Sequence, residues 1–85
     1  METKMKFYHL PGCPYCTRAI AKIDELDIRK RIDFIEVQRS HAERVELAEI
    51  TGGVVGVPTL VDGDIIIADD DDKIIAYLEE KFGKK

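Results

Sequence analysis

With 85 residues, 45% hydrophobic and 35% charged, the chain has enough apolar surface for one core and too little for two. Its 13 Lys and Arg against 17 Asp and Glu give a net charge of -4, and the basic residues are scattered, which argues against nucleic acid as a partner. The charged opening from Met1 to Leu10 lacks the apolar core of a signal peptide, and no apolar run reaches a bilayer span. The expectation is a single soluble domain over residues 1–85, cytoplasmic, monomeric and without a membrane partner.

Met5 to His9 alternate apolar and polar character and stop at Pro11-Gly12, which predicts a short strand and a loop. From Pro14, the residues Cys16, Ala19, Ile20, Ile23 and Leu26 recur at helical spacing, predicting a helix to about Asp27 with Cys13 at its N-terminus. Ile32 to Val37 is β-branched and aromatic enough for a second strand, so residues 5–37 form a βαβ unit with parallel strands. Ser40 and Glu43 read as a capping box before a second helix built on Val45, Leu47, Ala48 and Ile50 and ended by Gly52-Gly53, which covers the other face of the sheet. Val57 to Val61 and Asp64 to Ala68 read as a hairpin turning at Asp62-Gly63. The acidic run Asp69 to Asp72 starts a last helix with Ile74, Ile75, Leu78 and Phe82 on its apolar face. The order β-α-β-α-β-β-α predicts an α/β fold, a four-stranded mixed sheet flanked by three helices.

The two cysteines, Cys13 and Cys16, are too few for the disulfide framework of a small secreted domain and stand where a helix follows the first strand of a βαβ unit. A thiolate at Cys13 would be stabilised by the unpaired N–H groups and dipole of that helix. Cys16, one turn on, could close a disulfide with it, so a mixed disulfide on Cys13 could be resolved by Cys16. Two blander readings are a pair of inert thiols and a zinc site, but zinc needs four ligands and His9 and His41 show no finger-like spacing. His9 reads as a strand-edge residue and His41 as a first-turn helix residue rather than as proton carriers. Tyr15 reads as an exposed aromatic lining the groove, and Asp71 and Asp72 as helix capping with a solvated acidic face.

Cys13-Pro14-Tyr15-Cys16 after a strand and a Pro-Gly loop, then Val57-Pro58 and an acidic helix start at Asp69-Asp70, resembles a dithiol glutaredoxin of the thioredoxin superfamily from Lys6 to Phe82. Val57 to Phe82 also looks similar to the thioredoxin-like domain of glutathione transferases, whose helical second domain is not expected here. The glutaredoxin resemblance implies a thioredoxin-like fold and a thiol-disulfide oxidoreductase with no bound cofactor and glutathione as reductant. It implies Cys13 as the attacking thiolate, Cys16 as the resolving thiol and Pro58 as a cis-proline beside the disulfide. It places the Val57 backbone against the cysteine of glutathione and Asp69 and Asp70 at its γ-glutamyl end.

Two positions depart from that family's pattern. Leu10 stands where a lysine is usual, and Ile66-Ile67-Ala68 stands where many members carry a Gly-Gly pair. Arg39, or less readily Arg18, could restore a cation near a bound carboxylate. The departures keep open a glutaredoxin-shaped redoxin fed by a thioredoxin-reductase-type flavoprotein, serving a protein such as ribonucleotide reductase. A third reading, a dimer holding an iron-sulfur cluster through one cysteine of each chain and two glutathiones, is disfavoured by the proline directly after Cys13.

Overall fold

The structure, a computed structural model, describes residues 4–83; the side chain of His41 also lies outside the description. Alternation along β1 (Met5–His9) sends Met5 and Phe7 into one core and Tyr8 into another on the opposite face. β2 (Ile32–Glu36) runs parallel to β1, with Met5 opposite Ile32 and His9 opposite Glu36. β3 (Thr59–Asp62) runs antiparallel to β1 on its other side, and β4 (Ile65–Ala68) completes the sheet in the order β2-β1-β3-β4. A parallel pair needs a crossover, and α1 (Pro14–Glu25) supplies it. With α2 (Val45–Thr51) and α3 (Asp71–Phe82) this is the expected thioredoxin-like architecture.

The helices α1 and α3 share one face of the sheet. Ala19 and Ile23 from α1 and Ile74 and Leu78 from α3 pack with Met5, Phe7, Ile32 and Leu60. On the other face α2 contributes Leu47, which packs with Tyr8 and Val37. The Tyr8 hydroxyl donates to Glu46 Oε2 at 3.1 Å, tying β1 to α2.

Several element ends differ from the sequence expectation. The first helix stops at Glu25 rather than Asp27, because Asp27 adopts a positive φ of 57°. The capping box at Ser40 does not form: residues 41–43 make a 3₁₀ turn in which the Glu43 N–H donates to the Ser40 backbone carbonyl at 3.0 Å. That bond leaves the Ser40 hydroxyl no orphan donor to cap, and α2 begins at Val45, which is exposed rather than part of the core. β3 begins at Thr59 rather than Val57, since Pro58 has no N–H to give a ladder. Asp62 is the last paired residue of β3, so the hairpin turns on Gly63-Asp64, with Gly63 at φ 63°. On α3 the core face takes half-buried Tyr77 in place of Ile75.

Polar contacts lock α3 in place. Lys22 of α1 reaches Glu79 at 2.7 Å, and on the other side of α3 Tyr77 Oη and Lys81 Nζ converge on Asp62 Oδ2, the lysine at 2.6 Å. The hydrogen bond from Lys81, then that from Tyr77, hold the Asp62 carboxyl below its ordinary range. A depressed carboxylate adds stability above its unfolded pKa, and loses it as pH falls through the lower, folded value. Asp62→Asn should therefore cost about 1–2 kcal/mol near neutral pH, and urea unfolding curves of the two proteins should draw together in acid.

Candidate active site

Pro14 fits the first turn of α1 because no N–H is needed there, and it leaves Cys13 as the N-cap, with φ -81° and ψ 120°. Gly12, at φ 86°, makes the turn into it, closed by the Cys13 N–H donating to the Leu10 carbonyl at 3.2 Å. Cys13 is half-buried at the mouth of the helix, while Cys16, one turn on, joins Ala19 and Ile23 on the inward stripe and is 1% exposed. The two side chains stand close enough for Cys13 to act on the Cys16 thiol. Burial pushes the Cys16 thiol up to about 11, the Cys13 hydrogen bond and charge push the same way, and a Leu10 backbone hydrogen bond and the Arg44 charge oppose them. Cys16 is therefore a protonated thiol at neutral pH.

Sheet register gathers the remaining parts. Tyr8 faces Thr59 across β1 and β3, and Thr59 faces Ala68 across β3 and β4. The loop that follows β1, the Val57-Pro58 segment that precedes β3 and the acidic turn that follows β4 consequently share one end of the sheet. The Val57-Pro58 bond is cis, as the resemblance implied, and Pro58 is fully buried. Thr59, also fully buried, donates from Oγ1 to the Gly56 carbonyl at 2.9 Å and accepts from the Asp69 N–H at 3.4 Å. Asp69 adopts a positive φ of 54°, and its carboxylate packs so closely on Gly56 that a side chain there would overlap it.

The other sequence candidates divide. Asp70 caps α3, with Oδ1 accepting from the Lys73 N–H at 3.1 Å. Tyr15 is 57% exposed, and Val57 rests its side chain against the core under α2. Arg18 does not turn to the cysteines: it pairs with Asp71, which is largely covered, and at 3.1 Å with Asp72, which stays on a solvated acidic face as expected. Arg39 is exposed, and what it turns inward is its backbone carbonyl. His9 ends a central strand, not an edge strand, stacked on Phe7 at 5.8 Å, and its burial lowers its pKa.

Arg44 was not singled out by the sequence. It is 4% exposed, and its guanidinium donates to the carbonyls of Gln38 at 2.6 Å, Val55 at 2.7 Å and Arg39 at 3.3 Å. Thr59 and Gly56 were also missed. A threonine directly after the proline was the one signal available for them.

The sequence profile described as Glutathione S-transferase, N-terminal domain, matches residues 7–85. The chain belongs to this family. The match extends well beyond the last third, Val57 to Phe82, in which the sequence alone showed that likeness. A glutathione S-transferase from the Antarctic clam Laternula elliptica is 30% identical with a TM-score of 0.81, over 96% of this chain and 36% of its own. A glutathione transferase homolog from Drosophila mojavensis, solved with bound glutathione, is 28% identical with a TM-score of 0.83, over 99% of this chain and 37% of its own. The epsilon-class enzyme of the housefly, Musca domestica, shares the fold at a TM-score of 0.79 and 24% identity, over 96% of this chain and 37% of its own. The chain thus spans little more than a third of the length of these structures. No curated protein matches it. Among the described residues, no helix is long and apolar enough to cross a membrane.

The unequal exposure of the two thiols has a direct readout. Iodoacetamide at about pH 7.5 should alkylate Cys13 alone in the reduced, folded domain and reach Cys16 only after denaturation. Peptide mass spectrometry checks this, and equal labelling of both cysteines in the folded state would contradict it.

Proposed function

We propose that this domain is a glutathione-linked thiol-disulfide oxidoreductase of the glutaredoxin type, acting on glutathione mixed disulfides and protein disulfides. The observation that carries the reading is the half-exposed Cys13 at the N-terminus of α1, in contact with a buried Cys16 that stays protonated at neutral pH. Membership of a glutathione-related family and the glutathione bound in the Drosophila mojavensis homolog support the choice of reductant.

In the proposed reaction the Cys13 thiolate attacks the glutathione sulfur of a mixed disulfide. A Cys13–glutathione disulfide forms, the original S–S bond breaks, and the substrate leaves as a thiolate that takes up a proton. A second glutathione then attacks the sulfur of the bound glutathione, giving glutathione disulfide and restoring Cys13. For a protein disulfide, the Cys13 thiolate first attacks one substrate sulfur, forming a Cys13–substrate mixed disulfide and freeing the other sulfur as a thiolate that takes up a proton; Cys16 then loses its proton and attacks the Cys13 sulfur, closing the Cys13–Cys16 disulfide as the substrate leaves as a dithiol. Two glutathiones or a flavoprotein reductase then supply the two electrons that reopen it. The Val57 backbone, Asp69 and Asp70 stand as the binding groups, Tyr15 lines the groove, and Arg39 is a further candidate for a carboxylate.

One observation favours the flavoprotein-fed alternative, in which the domain donates electrons to a protein such as ribonucleotide reductase. Leu10 packs into the apolar core under α2, so the position that usually carries the glutathione-binding lysine offers no charge.

Glutathione as sole electron source with a small glutathionylated disulfide separates the readings. Turnover retained in Cys16→Ser and abolished in Cys13→Ser is the expected result, since the monothiol route needs only Cys13. No turnover by the unaltered protein, with insulin still reduced when dithiothreitol is supplied, would transfer the assignment to the reductase-fed redoxin.

A further inference from the structure

A charge with almost no exposure and no carboxylate beside it is costly unless its hydrogen bonds are complete. Arg44 is such a charge: among the described residues no carboxylate forms an ion pair with it, and its three donor nitrogens each reach a backbone carbonyl. Those carbonyls come from two separate loops. Gln38 and Arg39 lie just beyond β2, where the Val37 N–H still donates to His9 at 2.9 Å; Val55 lies three residues before Pro58. The guanidinium is thus a rivet between the loop after β2 and the loop that leads into β3.

The second loop is pinned again one residue further on. Thr59 Oγ1 holds the Gly56 carbonyl at 2.9 Å, so Val55 is fixed from one element and Gly56 from another. The next residue is Val57, whose backbone is the proposed docking edge for an extended cysteine-containing substrate. Three glycines, at 52, 53 and 56, and no regular structure between α2 and β3 would otherwise leave this segment loose.

We propose that Arg44 is the positioning residue of the substrate edge: its planar fork fixes the 55–58 segment so that the Val57 backbone is presented to disulfide substrates. The inference rests on the oxidoreductase reading for its substrate, but not for its geometry. Arg44 touches neither sulfur nor substrate. Its loss acts through Val57, on binding rather than on the reactivity of Cys13.

Three variants and three readouts test this. Arg44→Lys keeps the charge but not the fork, Arg44→Gln keeps one amide donor, and Arg44→Met removes both. In the glutathione-dependent assay each should raise KM for the mixed disulfide by about tenfold while kcat changes by no more than about twofold, Lys rescuing poorly. Alkylation of Cys13 by iodoacetamide, which needs no docking edge, should keep its rate within about twofold. The amide order parameter of Val57, from 15N relaxation, should fall in all three. An unchanged KM, or rescue by Lys with alkylation slowed in Gln and Met, overturns the proposal; the latter would make charge, not geometry, the contribution of Arg44. Should Arg44→Met fail to fold, Lys and Gln carry the test. If the unaltered protein turns over no mixed disulfide, the oxidoreductase reading fails by itself. The order of the 55–58 segment then decides the rivet: unchanged Val57 order parameters in the variants refute it, lowered ones uphold the positioning.

Discussion

Tyr8 sits opposite Ile35 in a parallel pair and opposite Thr59 in an antiparallel one, and this double register decides which parts of the chain meet. A slip of one residue in either pair would turn Phe7 out of the α1–α3 core and move Tyr8 into it. The position is further held from outside the sheet. Burial first, then the hydrogen bond to Glu46, raises the Tyr8 hydroxyl to about 12, so it remains a donor across the whole neutral range. With Tyr8 fixed, the loop leaving β1, the approach to Pro58 and the exit of β4 are delivered to one end of the sheet. The acidic turn is anchored there by Thr59, which bonds Gly56 and Asp69 together.

On this frame the chemistry separates by burial rather than by residue type. Two identical side chains three residues apart end in different surroundings because one precedes the helix and the other lies on its inward stripe. The inner thiol keeps its proton, since a thiolate there would lose hydration that its neighbours replace only in part. The outer one meets solvent at the helix mouth. The roles proposed for the two, attacking and resolving, rest on this difference, and reversing the spacing or burying both cysteines would erase it.

Most of the fold was legible because periodicity carries it: the 3.6-residue stripe of Cys16, Ala19 and Ile23 and the alternation of Met5, Phe7 and Tyr8 each mark a buried face. The cysteine pair was legible because a helix start after a βαβ strand is a chemical context in itself. What escaped were contacts made through backbone carbonyls. Ser40 and Glu43 have the composition of a capping box, yet a backbone bond satisfied the donor first. Arg44 looked like one more surface cation in a chain that is 35% charged. Nothing in its neighbours reveals that three carbonyls from two loops turn toward it, because carbonyl direction is set by tertiary structure. Arg18 failed in the opposite sense. It was considered for a ligand, and α3 placed Asp71 and Asp72 against it instead.

The two departures from the glutaredoxin pattern read differently once the backbone is known. The missing Gly-Gly pair does not disturb the turn into α3, because Asp69 itself takes the left-handed conformation, which aspartate tolerates better than most residues. The turn is therefore kept, and Ala68 remains a paired strand residue opposite Thr59. Leu10 is a deeper change. Its side chain belongs to the core under α2, while its backbone bonds both Cys13 and Cys16, so this position serves the dithiol through its main chain alone. Its lost cation has a partial counterpart in Arg44, whose charge favours a thiolate at Cys16 without standing in solvent. An exposed lysine can grip a ligand and be screened by salt; a buried guanidinium held by three carbonyls can do neither to the same extent. In place of a mobile surface charge at position 10, this chain thus carries a fixed one held inside the fold.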